Sequence, residues 1–296
     1  MTVTAADPTL RDIVAPVVAE LVARAPQAAG HLMLVGAVCR DVLHREAGHI
    51  FTLRRTGDLD LALAVDDRAL YDDAVRGLPR LRTAAQVRFE LAGVKVDLVP
   101  FGGVEAPDGA VPLEDGVEPL DVLGFGDVWA AARVVRLGQG LEVRVPTIPG
   151  YTVLKLAAWA ARSRVGEFKD AGDLACAMFW YQTASAVTDR LYDEARGRQL
   201  LEHAWSQDDG ASLDPHTLML TDDSMTLLAP SRRAELVARW AGVDQNLLAT
   251  YLENANLPGW PQRGNPALVE HVRSLYVGMT LPGTPPPSQR GSQDGP

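Results

Sequence analysis

Apolar residues recur at helical spacing over residues 10–25, "LRDIVAPVVAELVARA", and the stretch predicts one helix running through Pro16. The pattern then shortens. "HLMLV" is an apolar strand ending at Val35, Gly36 marks a turn, and a helix is expected from about Val38 to Glu46. "DLDLALAV" (58–65) is strand-like, and "DDRALYDDAVRGL" reads as a helix. Two β-rich runs, 87–91 and 94–99, are split by Ala92-Gly93, which predicts a hairpin. "RVVRLGQGLEVRVPT" repeats that form around Gly138 and Gly140. The first half therefore predicts a mixed sheet with helices packed on it.

The texture changes at "TIPGYT" (147–152), beyond which helical spacing dominates. "YTVLKLAAWAARS" carries Val153, Leu156, Ala157 and Ala160 on one face, and "KDAGDLACAMFWYQTAS" starts a helix near Ala171. "TDRLYDEARGRQLLEHAW", "SRRAELVARWAG" and "QNLLATYLENAN" predict three more. The expected architecture is α+β. It divides into a sheet-bearing domain at 1–149, a helical domain at 150–280 and a tail at 281–296. The tail, rich in Pro, Gly, Ser and Gln without apolar periodicity, is expected to be disordered.

Within "TGDLDLALAV", Asp58 and Asp60 interrupt an apolar strand. Alternation puts both carboxylates on one face, about 7 Å apart, and Leu59, Leu61 and Leu63 on the other. Their repulsion grows severalfold in a low-dielectric cleft, so a cation should relieve it. In "GVKVDLVPFG" the same alternation puts Lys95, Asp97 and Val99 on one face. If that strand neighbours the first, about 4.8 Å away, Asp97 joins the pair. Three such carboxylates can hold two Mg²⁺ ions about 4 Å apart. Upstream, the turn at Gly36 and the helix after it offer backbone N–H groups and a helix dipole to a phosphate.

Bulk chemistry narrows the rest. A net charge of −10 and a pI of about 5.1 argue against a general nucleic-acid-coating surface, though a local basic groove stays open. Arg54, Arg55, Arg80, Arg82 and Arg88 near the aspartates read as a solvated face. No apolar run is long enough for a membrane span, and the first residues do not read as a signal peptide. Cys39 and Cys176 lack metal-ligand spacing and read as buried reduced thiols of a cytoplasmic protein. The six histidines lack zinc spacing, and neither a nucleophile elbow nor a P-loop occurs. The tryptophans and Tyr181 read as helix-packing core.

Gly36-Ala37, Asp58-x-Asp60 and Asp97 resemble the motif set of the DNA polymerase β-like nucleotidyltransferase superfamily. "GAVCRD…RRTGDLDLAL" is also similar to the head-domain motifs of tRNA CCA-adding enzymes, whose downstream arginine-rich base-selection motifs are absent here. "TVLKLAAWAARSRVGEFKDAGDL" resembles AbiEii-like nucleotidyltransferases of toxin–antitoxin systems, and the likeness spans about residues 32–175. Ala37 replaces the usual second Gly or Ser, and the gap from Gly36 to Asp58 is longer than usual.

The resemblance implies a polymerase-β-like domain transferring a nucleoside monophosphate from an NTP to a hydroxyl, with release of pyrophosphate. Asp58, Asp60 and Asp97 would hold Mg²⁺ (or Mn²⁺), and Asp97 would also assist deprotonation of the acceptor. Gly36 and Ala37 would cradle the triphosphate through their amides, helped by Arg40. Lys155 would contact phosphates and Asp170 would support the site from the helical domain, with Arg162, Lys169 and Asp173 as further candidates. An ordinary snorkelling role for Lys155, and N-capping by Asp170 or Asp173, stay open. The toxin likeness implies the 3′ end of a tRNA as acceptor and an antitoxin protein as partner. A small hydroxyl compound, or a non-catalytic nucleotide-binding role, is the alternative.

Overall fold

The computed structural model describes residues 7–54, 57–81, 87–113, 118–206 and 212–281. Arg55, Arg82 and the expected tail from residue 282 onward lie outside the described residues. The strands are β1 (Leu32–Val35), β2 (Asp58–Val65), β3 (Arg88–Leu91), β4 (Val94–Gly102), β5 (Ala110–Val111), β6 (Leu120–Asp121), β7 (Arg133–Gly138) and β8 (Leu141–Val145). Six of them form one mixed sheet in the order β3-β4-β2-β1-β8-β7, and β5 pairs with β6 apart from it. Both expected hairpins are present, as the antiparallel pairs β3/β4 and β7/β8.

The strand that carries two aspartates lies between β4, parallel to it, and β1, antiparallel. Its alternation is as expected: Leu59, Leu61 and Leu63 are buried, with Val96 and Leu98 of β4 beside them. That leucine face holds the sheet to its helices, while the aspartate face is left half-buried. Two of the helices beside the sheet follow its strands in the chain. α2 (Gly36–Glu46) starts directly at the end of β1, and α3 (Arg68–Val75) is capped by Asp67, whose side chain accepts from the Leu70 amide at 2.9 Å.

The expected first helix is one helical segment with a defect. Leu10–Val14 forms a wide turn with i→i−5 bonding, and α1 (Ala15–Arg24) follows. Pro16 has no N–H to give to Asp12, so the widened turn absorbs the missing bond.

After a short α4 (Phe125–Ala131), the chain enters the helical half: α5 (Ile148–Arg162), α6 (Asp170–Thr183), α7 (Ser185–Asp193), α8 (Ala195–Trp205), α9 (Pro215–Leu227), α10 (Pro230–Trp240), α11 (Gln245–Leu252) and α12 (Ala267–Thr280). The single helix expected over 188–205 is two. Glu194 is extended, and α7 and α8 fold against each other where Gly197 meets Arg190; a Cβ at Gly197 would fall 2.1 Å from the Arg190 carbonyl oxygen.

Helices α4, α9 and α12 escaped the sequence reading. α9 is buried over most of its length, so it has no polar face to reveal a period. Two of its inward hydroxyls are satisfied by its own backbone: Thr221 donates to the Thr217 carbonyl at 2.9 Å and Ser224 to the Leu220 carbonyl at 2.6 Å, whereas the buried Thr217 hydroxyl has no partner among the described residues.

One buried apolar cluster runs from the sheet helices through α5 and α6 into α9 and α12. Trp159, Trp180, Trp240, Trp260 and Tyr181 lie in it as expected, whereas Trp205 is exposed. Both cysteines are free and buried. Among the described residues, no helix is long and apolar enough to cross a membrane.

Candidate active site

A cavity of about 1570 Å³ opens between the aspartate face of the sheet and helices α2, α5, α6 and α11. Ligand pockets commonly measure about 300–1000 Å³, so this one has room for two small reactants. Asp58, Asp60, Asp97, Gly36, Ala37, Arg40, Lys155, Arg162 and Lys169 all line it. Asp170 does not; it is fully buried behind Lys155 and Arg162.

The three strand carboxylates meet because of register. Asp60 is the cross-strand partner of Asp97, and Asp58 lies two residues back on the same face, opposite Lys95. Asp60 has no ion pair among the described residues. Burial, and then the charges of Asp97 and Asp58, push its carboxyl up to about 6, with Lys155 and Lys169 offsetting part of the effect.

Gly36 makes this packing possible. Its φ is +65°, and a Cβ there would lie 1.8 Å from Asp60 Oδ2. Val35, the last residue of β1, is the register partner of Asp60. The first turn of α2, with its free amides, therefore starts beside the least compensated carboxylate.

Arg88 supplies the charge that sequence reasoning missed. Its guanidinium grips Asp97 through two bonds of 2.6 Å and reaches Asp58 at 3.1 Å. The signal was present. A tight turn at Ala92-Gly93 pairs Leu91 with Val94, and counting back three residues sets Arg88 opposite Asp97. Reading Arg88 as part of a solvated face ignored that register.

Opposite the sheet lies a second ionic group, built by α2, α5 and α6. Lys155 Nζ donates to Asp170 at 3.0 Å and pairs with Asp173 at 2.6 Å. Arg162 reaches Asp170 at 3.1 Å. Arg40 donates to Asp173 at 3.0 Å, to Asp41 at 2.9 Å and to the Arg54 carbonyl at 2.6 Å. Burial favours the neutral form of Lys155, but Asp173 and Asp170 outweigh it and hold its pKa above the ordinary lysine value. Burial likewise opposes the charge on Asp173, and Lys155 and Arg40 prevail, holding its carboxyl below the usual range.

Neither aspartate caps α6. The cap position is Lys169, without a side-chain cap bond, because both carboxylates turn to the buried cations. Lys155 is not a snorkelling lysine either, since its ammonium is buried between two acids. Lys169 is the most exposed of the expected residues and stands 4.0 Å from Glu167.

Carboxylate oxygens are the donors that hard divalent cations take, and three carboxylates stand here on two adjoining strands, one of them without an ion pair among the described residues. Among the described residues no three acidic, histidine or cysteine side chains form a ready-made metal shell; here Arg88 stands between Asp97 and Asp58. Comparison of the chain with known protein families finds no matching family model, and comparison with curated proteins finds no match.

Proposed function

We propose that the protein transfers a nucleoside monophosphate from an NTP to a hydroxyl acceptor, releasing pyrophosphate. The observation that carries this reading is the in-register pairing of Asp60 with Asp97, beside Asp58 and against the Gly36 turn. A protein that only bound nucleotide would have little use for three mutually repelling carboxylates on one cavity wall.

Asp58, Asp60 and Asp97 are the residues that would hold Mg²⁺ (or Mn²⁺), which when bound supplies Lewis-acid stabilisation of the phosphoryl oxygens. Gly36 and Ala37 offer amides and the α2 dipole to the triphosphate. The acceptor hydroxyl oxygen attacks the α-phosphorus, the bond to the β-phosphate oxygen breaks, and pyrophosphate leaves with that electron pair. The hydroxyl proton passes to the carboxylate cluster. Arg88, bonded to both Asp97 and Asp58, holds the two carboxylates aligned until substrate arrives. Lys155, held by Asp170 and Asp173, fixes the opposite wall and adds positive potential toward Asp60.

Charge balance favours a small hydroxyl compound as the acceptor. The basic lining (Arg40, Arg54, Arg88, Lys155, Arg162, Lys169) is matched by an acidic one (Asp58, Asp60, Asp97, Asp121, Asp173, Glu118, Glu167). That leaves no excess of described positive charge to draw in a polyanion such as tRNA.

The test is incubation of purified protein with Mg²⁺ and each of the four α-labelled NTPs, with total cell RNA or a small-metabolite extract as acceptor. Labelling of the extract, abolished by Asp60→Asn, supports the small-acceptor reading. Labelling of RNA transfers the reading to a tRNA-directed enzyme. Nucleotide binding that ignores divalent ions, with nothing ever labelled, rejects catalysis.

A further inference from the structure

The wall of the cavity built from the helical half carries a feature that phosphate chemistry leaves unused. Phe168, just before α6, and Tyr251, on α11, stack on each other with ring centroids 4.2 Å apart and planes 26° apart. The fully buried Trp159 of α5 backs both rings, at 6.1 and 6.3 Å. Both rings are half-buried and line the cavity that also holds Asp58, Asp60 and Asp97. One turn further, Asn254 and Asn256 line the same wall, exposed, and no described residue engages either side-chain amide.

A rigid aromatic pair with two uncommitted amides beside it suits a flat, polar-edged ring. Aromatic faces stack on any base, and an amide carries both a donor and an acceptor for a base edge. Resting on the nucleotidyl-transfer reading, we propose that Phe168, Tyr251, Asn254 and Asn256 form the subsite that takes the nucleobase of the incoming nucleotide. The two ends of the nucleotide are then held by different halves of the chain: phosphates by the sheet and α2, base by the approach to α6 and the end of α11.

The experiment is calorimetric titration of the full chain, in Mg²⁺, with the four NTPs and with inorganic tripolyphosphate as the base-free probe. At least one NTP is expected to bind roughly tenfold to hundredfold more tightly than tripolyphosphate, the usual range of base stacking. Tyr251→Ala should erase that margin and leave tripolyphosphate affinity unchanged, and Tyr251→Phe should keep it. Asn256→Ala, an exposed change harmless to the fold, should alter the ranking among the four NTPs. If every NTP binds no better than tripolyphosphate, or if none of these substitutions moves the margin or the ranking, the subsite is overturned while phosphate binding stands. If neither NTP nor tripolyphosphate binds, the nucleotidyl-transfer reading falls and the subsite with it.

Discussion

Asp60 of β2 and Asp97 of β4 are direct cross-strand partners on adjacent parallel strands, and Asp97 has an arginine partner while Asp60 has none among the described residues. Burial and the neighbouring acids raise the Asp60 carboxyl to about 6, above its ordinary 3.8. A group raised in the folded state adds stability below its unfolded pKa and loses it as pH climbs through the folded one. Without divalent ions, Asp60→Asn should therefore be more stable than the parent at pH 8 by about 2–3 kcal/mol, and no more stable below pH ~4. Urea melts at both pH values in EDTA check this; equal stabilities at pH 8 would contradict the geometry. Saturating Mg²⁺ should shrink the difference.

Arg88 serves as the internal counter-charge of that cluster. Arg88→Gln should cost about 1–2 kcal/mol in EDTA, since the pair is partly exposed. The same variant should gain more from Mg²⁺ than the parent does, because the ion takes over the charge that the guanidinium supplied. Thermal shift with and without Mg²⁺ measures this; an Mg²⁺ response no larger than the parent's would refute the role.

Lys155 joins two buried carboxylates, so its removal strands charge. Lys155→Met should destabilise by about 3–5 kcal/mol. Adding Asp173→Asn should recover part of that loss, because Arg40 can still bond the amide oxygen. Full-length variants compared by chemical denaturation provide the check. A Lys155→Met protein as stable as the parent, with only nucleotide affinity reduced, would move Lys155 from scaffold to direct phosphate contact.

His44 fixes an acid limit. The Trp180 indole donates to its Nδ1 at 2.9 Å, so its Nε2 carries the proton toward the Phe51 carbonyl, 3.1 Å away. Burial, then His49, Arg40 and Arg45, lower its pKa to about 4, with the Phe51 carbonyl working the other way. The unfolded chain takes up this proton first. Stability is thus full above pH ~6.5 and drains as pH falls toward about 4. His44→Gln should flatten that part of the stability–pH curve while costing about 1–3 kcal/mol at neutral pH, where the Trp180 N–H loses its acceptor. An unchanged acid slope would assign it to other groups.

Gly36 is a steric prediction. Gly36→Ala places a Cβ on Asp60 Oδ2 at a positive φ. It should abolish divalent-dependent nucleotide binding even if the protein folds, because the carboxylate must move away. Titration of NTP with Mg²⁺ present and absent reads this directly.

The local elements were written in the chain. Period-two alternation gave β2 and β4 with their leucine and aspartate faces, and the dipeptide Ala92-Gly93 gave the hairpin that, counted out, also sets Arg88. Those features depend on neighbours within a few residues, so sequence sufficed for them. Helix α9 was hidden because a helix buried all round carries no amphipathic period, and the α7/α8 break was hidden because its cause is a close approach at Gly197. Which strand lies beside β2, and what neutralises Lys155, Asp170, Asp173 and Arg40, depended on residues up to 133 positions apart. Long-range partners of that kind are selected by packing and charge compensation in three dimensions, and a one-dimensional pattern has no term for either.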